Sequence, residues 1–220
     1  MQCKICQHET RELVHPGNGQ LFHECLNCQF IFKNPAFYLS SEKEFEQYEH
    51  HENSIEDTRY VAFFEKYLQA AVLPFVSDGK KAFDFGSGPS PVLAQILERD
   101  YDYHVTIYDL FYAPEKTYEN QLYDVITTTE VMEHIPDPIE TFKELKTLMK
   151  ADAILVVMTL FHPKDDNKLW GWHYIRDFTH ISFFTPEAMQ ILADKIGLEV
   201  IYCDDQRYTT FKLKQSDSII

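Results

Sequence analysis

The sequence has little basic charge and no long apolar run, and each shortage excludes a class of protein. Its 220 residues carry 35 acidic and 20 basic side chains, a formal net charge of −15. Such an acidic chain is not expected to bind phosphate backbones independently of their sequence, although a local basic groove stays open, so nucleic acid is not expected as a partner. The longest largely apolar run, 153–161, is far shorter than the roughly 20 residues that span a bilayer. Because no charged-then-apolar leader opens the chain, we expect a cytoplasmic protein without membrane contact.

The composition is that of a folded domain of ordinary size. Hydrophobic residues make up 45% of the chain and aromatic residues 15%, which is enough to bury a sizeable core. The length suits one domain with a small additional module. Three segments are predicted: a metal-binding module over 1–38, a linker with a packing helix over 39–80, and an α/β domain over 81–220.

Four of the five cysteines form two C-x2-C pairs near the start of the chain, with eighteen residues between the pairs. A two-residue gap lets a tight turn aim both thiolates at one metal ion, and the double spacing is typical of tetrahedral zinc. A redox pair or a four-cysteine iron site would have the same spacing and is the alternative. The sequence predicts a zinc-ribbon-like module whose ligands are Cys3, Cys6, Cys25 and Cys28.

The linker carries the signals of one helix. Ser54 followed by Asp57 resembles a capping box, and apolar residues recur at helical spacing until Pro74 ends the helix. The hydrogen-bonding side chains that precede this helix belong either to a solvated connector or to a lid across a site. They are Tyr48, His51 and Asn53.

From Lys81 onward, short apolar strands alternate with amphipathic helices. This alternation predicts a doubly wound, mostly parallel α/β sheet covered on both faces. Ligands of such sheets bind at the carboxyl ends of the strands.

The first of these strands ends in DFGSGPSP. Gly86 and Gly88 permit the tight turn and close backbone approach that a nucleotide needs, although Pro91 stands where a dinucleotide motif has its third glycine. Ser90 suits the N-cap of the next helix and Pro91 its first position. Asp109 ends the second strand, where a carboxylate can accept hydrogen bonds from ribose. The pattern indicates an adenosine-type ligand.

FDFGSGPS resembles the glycine loop of class I S-adenosylmethionine-dependent methyltransferases. YDVITTTEVMEHIPDP resembles a segment of the branch that includes the ubiquinone-biosynthesis O-methyltransferases, and the cysteine module is similar to that of deoxysugar C-methyltransferases. The resemblance implies a Rossmann-like fold and in-line methyl transfer to an oxygen or carbon of a small polar acceptor. It also implies a set of residues that bind S-adenosylmethionine: Asp84, Gly86, Ser87, Gly88, Asp109, Leu110, Phe111, Thr128 and Glu130.

The connection between the second and third strands, 110–122, has only thirteen residues. Relatives usually place a helix and a further strand there, but thirteen residues hold one short helix at most. We expect that strand to be missing and the adenine to lie against Leu110, Phe111 or Tyr112.

The EVMEH segment places Glu130, Glu133 and His134 on one face of a helical turn. The favoured interpretation makes His134 a general base that a carboxylate orients. In the alternative, the two carboxylates and the imidazole hold a magnesium- or zinc-like ion, with His180 as a further ligand. The candidate catalytic residues are therefore His134, Glu133 and His180.

An aromatic segment, 168–189, follows the predicted fifth strand, where this fold builds its acceptor pocket. Trp170, Trp172 and Tyr174 line that pocket or form part of the core. A different function also fits the two-part chain: a zinc-ribbon adaptor that docks on a protein or RNA and carries a non-catalytic methyltransferase-like domain.

Overall fold

The computed structural model describes residues 1–48 and 54–214, and two sheets organise them. Of the three polar side chains before the predicted linker helix, His51 and Asn53 lie outside the described residues. The smaller sheet has the order β1-β2-β3-β8 and is antiparallel throughout. Its strands are β1 (Thr10–Val14), β2 (Leu21–Cys25), β3 (Ile31–Lys33) and β8 (Ser182–Phe183).

The larger sheet has six strands in the order β5-β4-β6-β7-β10-β9. The first four in that order are parallel, and β10 runs antiparallel between β7 and β9. The strands are β4 (Lys81–Phe85), β5 (His104–Tyr108), β6 (Tyr123–Thr129), β7 (Met149–Met158), β9 (Leu198–Cys203) and β10 (Tyr208–Leu213). The fully described connection 110–122 contains no strand, only an isolated bridge between Asp109 and Ala113. The predicted loss of that strand is confirmed.

Helices cover both faces of the larger sheet, because its central strands bury side chains on both sides. On β6, Ile126 faces the core with α4 and α6, whereas Val125 faces the opposite core with α2 and α3. This two-sided burial confirms the predicted doubly wound fold. The helices are α1 (Ser41–Tyr48), α2 (Thr58–Tyr67, continued by a π-helical turn Leu68–Val72), α3 (Val92–Tyr101), α4 (Pro138–Thr147), α5 (Asp166–Leu169) and α6 (Pro186–Ile196).

Two of the expected helix starts lie elsewhere. Helix α2 is capped by Asp57, whose carboxylate accepts from the amide of Arg59, so the cap lies three residues after the expected Ser54 cap. Helix α3 has no side-chain cap and begins at Val92, because Pro91 has a ψ of 63° that is outside the helical region. The expected Ser90 cap is therefore wrong.

The cysteine module is continuous with the α/β domain. Strand β3 pairs with β8, a segment from the far end of the chain, and the hydroxyl of Thr185 donates to the carbonyl of Cys28 at 3.0 Å. The buried cysteines belong to the same hydrophobic core as Phe184 and the inner face of α6. Within the described parts of the chain, no helix is both long enough and apolar enough to cross a membrane.

Candidate functional site

The glycine loop turns sharply at the carboxyl end of β4. Gly86 and Gly88 have φ angles of 81° and 68°, a region that side chains with a Cβ rarely adopt. A Cβ on Gly86 would lie 2.2 Å from the side chain of Val131, so this glycine lets the loop touch the EVMEH segment. A Cβ on Gly88 would meet no atom within 4 Å, so space remains over the second half of the loop.

Two carboxylates lie next to this loop and have different hydrogen-bond partners. Asp84 is buried and accepts from the Thr127 hydroxyl at 2.8 Å, and burial raises the pKa of Asp84 to about 6. Asp109 accepts from the amides of Gly88 and Phe111, each at 2.9 Å, and from that of Tyr112 at 3.1 Å. Since a carboxylate offers about four acceptor positions, Asp109 organises the loop and keeps capacity for a ligand.

Three oxygens near the loop are shielded from solvent and have no hydrogen-bond partner within the described part of the chain. They are Ser87 Oγ, Thr128 Oγ1 and Glu130 Oε1. Buried polar atoms are nearly always hydrogen-bonded in native proteins. All three belong to the set that the resemblance assigned to S-adenosylmethionine, so the chain fits a polar ligand at this place.

An aromatic wall continues from the loop. Phe111 and Tyr112 contact Phe45 of α1 at centroid distances of 5.4 Å and 5.9 Å, and Tyr48 lies 5.6 Å from Phe111. Leu110, by contrast, is 63% exposed. Helix α1 therefore packs directly beside the residues expected to contact adenine.

The EVMEH segment is a short 3-10 turn, Met132–His134, placed immediately after β6. Glu133 is fully buried, accepts from the Thr159 hydroxyl at 2.9 Å, and also accepts from the Tyr174 hydroxyl. The same phenol lies 3.1 Å from Glu130 Oε2. Burial, helped by the charge of Glu130, raises the pKa of Glu133 to about 8.

Two histidines complete this cluster. The rings of His134 and His180 meet edge-on with centroids 4.7 Å apart, and His180 Nδ1 lies 2.8 Å from the carbonyl of Tyr174. Burial lowers the pKa of His180 to about 4, so its imidazole is neutral at neutral pH. Ligand atoms of Glu133, His134 and His180 all lie within 4.8 Å of one another, a grouping compact enough for one metal ion.

The four paired cysteines converge on one point. Cys6 Sγ lies 3.2 Å from Cys25 Sγ and 3.6 Å from Cys28 Sγ, and Cys3 Sγ lies 3.6 Å from Cys28 Sγ. Sulfurs bound to a tetrahedral zinc ion at about 2.3 Å would lie about 3.8 Å apart. The separations found here are slightly shorter, and small outward shifts of the thiols would admit the metal.

Both cysteine turns have the same local geometry. In the first, the amides of Ile5 and Cys6 each lie 3.4 Å from Cys3 Sγ, and in the second the amides of Asn27 and Cys28 lie 3.4 Å from Cys25 Sγ. A left-handed glutamine ends each turn, with φ angles of 63° and 60° at Gln7 and Gln29. Amides aimed at sulfur favour thiolates, which is the form that binds metal.

Sequence reasoning missed two hydroxyl groups of the site. Thr159 follows the carboxyl end of β7 and binds Glu133, and Thr127 on β6 binds Asp84. Both threonines lie at or near the carboxyl ends of predicted strands. That position could have marked them as site residues, since ligands of parallel sheets bind at that edge.

Comparison with known proteins identifies the family. The family described as "Methyltransferase domain" matches residues 56–202, which is more than half of the chain. The chain belongs to this methyltransferase family. Two ubiquinone biosynthesis O-methyltransferases of Actinobacillus pleuropneumoniae, from serotype 5b (strain L20) and serotype 7 (strain AP76), are each 34% identical to it over 59 residues. That stretch is 27% of this chain and 25% of each relative, so the match spans about a quarter of the curated proteins.

A solved structure of an O-methyltransferase family protein has the same fold. An O-methyltransferase family protein from Burkholderia thailandensis superposes with a TM-score of 0.52 at 14% identity, covering 81% of this chain and 64% of that chain. The mitomycin 7-O-methyltransferase MmcR gives a TM-score of 0.49 at 15% identity, covering 77% and 67%. At this identity the likeness concerns the fold alone. The predicted class I methyltransferase fold and the resemblance to the ubiquinone-biosynthesis branch are confirmed.

Proposed function

We propose that this protein transfers a methyl group from S-adenosylmethionine to an oxygen or carbon of a small polar acceptor. The observation that carries the proposal is a set of solvent-shielded oxygens beside the glycine loop, on Ser87, Thr128 and Glu130, that have no hydrogen-bond partner among the described residues. The amino-acid and ribose groups of the cofactor would supply the missing hydrogen-bond partners. When bound, the cofactor supplies a methyl group on a positively charged sulfur, which is a good leaving group.

The chain offers a distinct element to each part of this cofactor. Asp84, Gly86 and Gly88 would hold the methionine end, and Asp109 the ribose. Leu110 and Phe111, which follow Asp109 in sequence, would receive the adenine. Because Asp109 already ties Gly88 to the wall through its hydrogen bonds, one carboxylate would align the ribose and both neighbouring segments.

The acceptor would enter beside Trp172. A cleft of about 840 Å³, within the usual size range of small-molecule sites, is lined by Leu160, Lys168, Trp172 and Gln206 among others. Trp172 packs on Tyr174 at a centroid distance of 5.1 Å, and the Tyr174 hydroxyl contacts both Glu130 and Glu133. The aromatic segment thus connects a ligand-sized cleft to the Glu133–His134 turn.

For the proton that an acceptor hydroxyl must lose, we propose His134 as the general base. Its imidazole lies beside Glu133 and His180, at the carboxyl edge of the parallel strands where the methyl donor is expected. Glu133 is hydrogen-bonded to Thr159 and Tyr174, and it would contribute by fixing the shape of the turn. His180, neutral and buried, would accept a hydrogen bond from the acceptor.

The close grouping of Glu133, His134 and His180 also favours a second candidate mechanism, in which these residues hold a divalent cation. The cation would polarise the acceptor oxygen and lower the pKa of its hydroxyl. The two mechanisms use the same residues and differ only in whether binding of a cation is needed.

Independently of that cation, we propose a zinc site in the cysteine module. Its ligands would be Cys3, Cys6, Cys25 and Cys28. Support comes from the converging sulfurs and the amides aimed at them. Elemental analysis of the purified protein should give one zinc per chain, and Cys25→Ser should lower that content. A zinc-free protein, or wild-type zinc content in the variant, would exclude the site.

Binding of the cofactor tests the main proposal. Calorimetry on the zinc-loaded protein should detect S-adenosylmethionine and S-adenosylhomocysteine, and Asp109→Ala should weaken binding by about 1.5–3 kcal/mol, as for a hydrogen-bonded charged group. Glu115→Ala removes an exposed carboxylate from the same connection and should leave the affinity unchanged. If neither ligand binds the wild type, the zinc-ribbon adaptor with a non-catalytic domain becomes the better proposal.

A cytoplasmic location is part of the proposal, because a reducing compartment keeps the four thiols available to zinc.

Titration with Mg²⁺ or Mn²⁺ separates the two mechanisms without an identified acceptor. A saturable site in the zinc-loaded protein that is lost in both Glu133→Gln and His180→Ala would favour the cation. If the wild type shows no such site, His134 remains as the base, and His134→Ala should abolish turnover once an acceptor is known.

A further inference from the structure

Helix α1 brings a carboxylate and a phenol to the imidazole of His134. Glu44 and Tyr48 are four residues apart on α1, so they project from the same face. The Tyr48 hydroxyl lies 2.9 Å from Glu44 Oε1 and 2.9 Å from His134 Nδ1. The ring of Tyr48 also meets the imidazole edge-on, at a centroid distance of 5.4 Å. The three side chains form one continuous hydrogen-bonded chain.

The number of available hydrogens decides which of these three groups donates and which accepts. The Tyr48 hydroxyl has one hydrogen, and an ionised Glu44 can only accept. Tyr48 therefore donates to Glu44 and accepts from His134 Nδ1. The carbonyl of Thr179 lies 3.3 Å from the same nitrogen and also only accepts. Both neighbours thus favour a proton on Nδ1, which puts the lone pair of the neutral ring on Nε2.

We propose that Glu44 and Tyr48 are positioning residues that hold His134 in its Nδ1-protonated tautomer. Nε2 then carries the lone pair that either a general base or a metal ligand needs. The catalytic role of this arrangement rests on the proposed function, whereas the tautomer is a property of the protein without cofactor or acceptor. The residues of the turn itself do not supply this contact, because the oxygens of Glu133 are directed to Thr159 and Tyr174.

Helix α1 also contacts the aromatic wall that is expected to receive adenine. Phe45, which lies between the two positioning residues in sequence, packs on Phe111 and Tyr112. The wall expected to receive adenine and the tautomer of His134 therefore depend on the same helix.

Nuclear magnetic resonance can read the tautomer directly. Long-range ¹H–¹⁵N spectra of the zinc-loaded, full-length protein distinguish the two ring nitrogens, and His134→Gln assigns the His134 signals. At about pH 8, the wild type should show His134 protonated on Nδ1 and not on Nε2. In Glu44→Ala, the Tyr48 hydroxyl loses the Glu44 carboxylate as an acceptor and can donate to Nδ1. The tautomer ratio should then move toward the Nε2-protonated form by about fivefold, the equivalent of one ordinary hydrogen bond.

A double variant and a matched control make this test specific. Adding Tyr48→Phe to Glu44→Ala removes the competing donor and should restore the Nδ1-protonated form, a rescue that general disruption of the helix would not produce. Glu46→Ala removes an exposed carboxylate from the same helix and should leave the spectrum unchanged. A wild type protonated on Nε2, or a Glu44→Ala ratio equal to that of the wild type, would overturn the proposal. The spectra require neither cofactor nor acceptor, so failure of the proposed methyl transfer would be seen separately, in the calorimetry.

Discussion

At the residue scale, the site depends on two carboxyl groups that share one phenol. The Tyr174 hydroxyl lies within hydrogen-bonding distance of both Glu130 and Glu133 but has a single hydrogen. Burial raises the pKa of both carboxyl groups, that of Glu133 to about 8. A proton kept on Glu133 lets that carboxyl donate as well as accept, so the cluster can be satisfied without a buried positive charge.

This protonation makes stability depend on pH. A carboxyl whose pKa is raised by folding stabilises the fold fully below its unfolded pKa near 4.5, and the contribution is lost as pH rises through about 8. Glu133→Gln keeps a donor and an acceptor but does not titrate. We expect the melting temperature of the wild type to fall more steeply between about pH 6 and pH 8 than that of Glu133→Gln. Differential scanning fluorimetry checks this, with the exposed Glu140→Gln as control. Parallel slopes for wild type and Glu133→Gln would contradict it.

At the element scale, the EVMEH turn is held by the elements before and after it. Its first residue, Glu130, has a left-handed φ of 55° and donates its amide to the carbonyl of Met158 at the end of β7. After the turn, Asp137 caps α4 by accepting from the amide of Glu140 at 3.3 Å. A left-handed glutamate is strained, and such strain is typical of functional turns that their surroundings hold in place.

The cap of α4 should therefore contribute to stability and to the geometry of the turn. Asp137→Ala removes the acceptor for the first turn of the helix, and we expect a loss of about 1 kcal/mol in the free energy of unfolding. Asp137→Asn retains a capping oxygen and should lose much less. Denaturant unfolding measures the free energy of unfolding of both variants. An equal loss in the two would show that the negative charge of Asp137 matters and its capping hydrogen bond does not.

At the scale of the whole molecule, the cysteine module and the α/β domain are built as one unit. The cysteines share a core with Phe184 and Met189, and Trp170 packs against Phe22 of the smaller sheet at a centroid distance of 5.7 Å. Lys33 of β3 is completely buried and donates to the carbonyl of Phe178, just before His180. The module thus supports the segment that carries one of the candidate catalytic histidines.

We expect the zinc-loaded protein to unfold in a single transition. Both tryptophans pack on the smaller sheet, Trp170 against Phe22 and Trp172 against Phe183, so their fluorescence reports on that sheet. Far-ultraviolet circular dichroism reports mainly on the larger domain. The two signals should give coincident melting curves, because cooperative units share one transition. A fluorescence change that precedes the change in circular dichroism would show that the module unfolds by itself.

The sequence alone determined the parts of this protein whose causes are local. Three such features depend on residues a few positions apart. They are each C-x2-C pair, the turn of Gly86 and Gly88, and the alternation of strands and helices. The missing strand followed from the length of one connection. These patterns were sufficient for the class I fold and for the family.

The tertiary structure decided how the catalytic cluster is assembled. Tyr48 meets His134 across 86 positions, and Tyr174 meets Glu133 across 41. Each candidate catalytic residue was visible in the sequence, but its hydrogen-bond partners come from other elements. No local spacing encodes such pairings, because they arise only when the helices and strands pack and the burial of a polar group requires a partner.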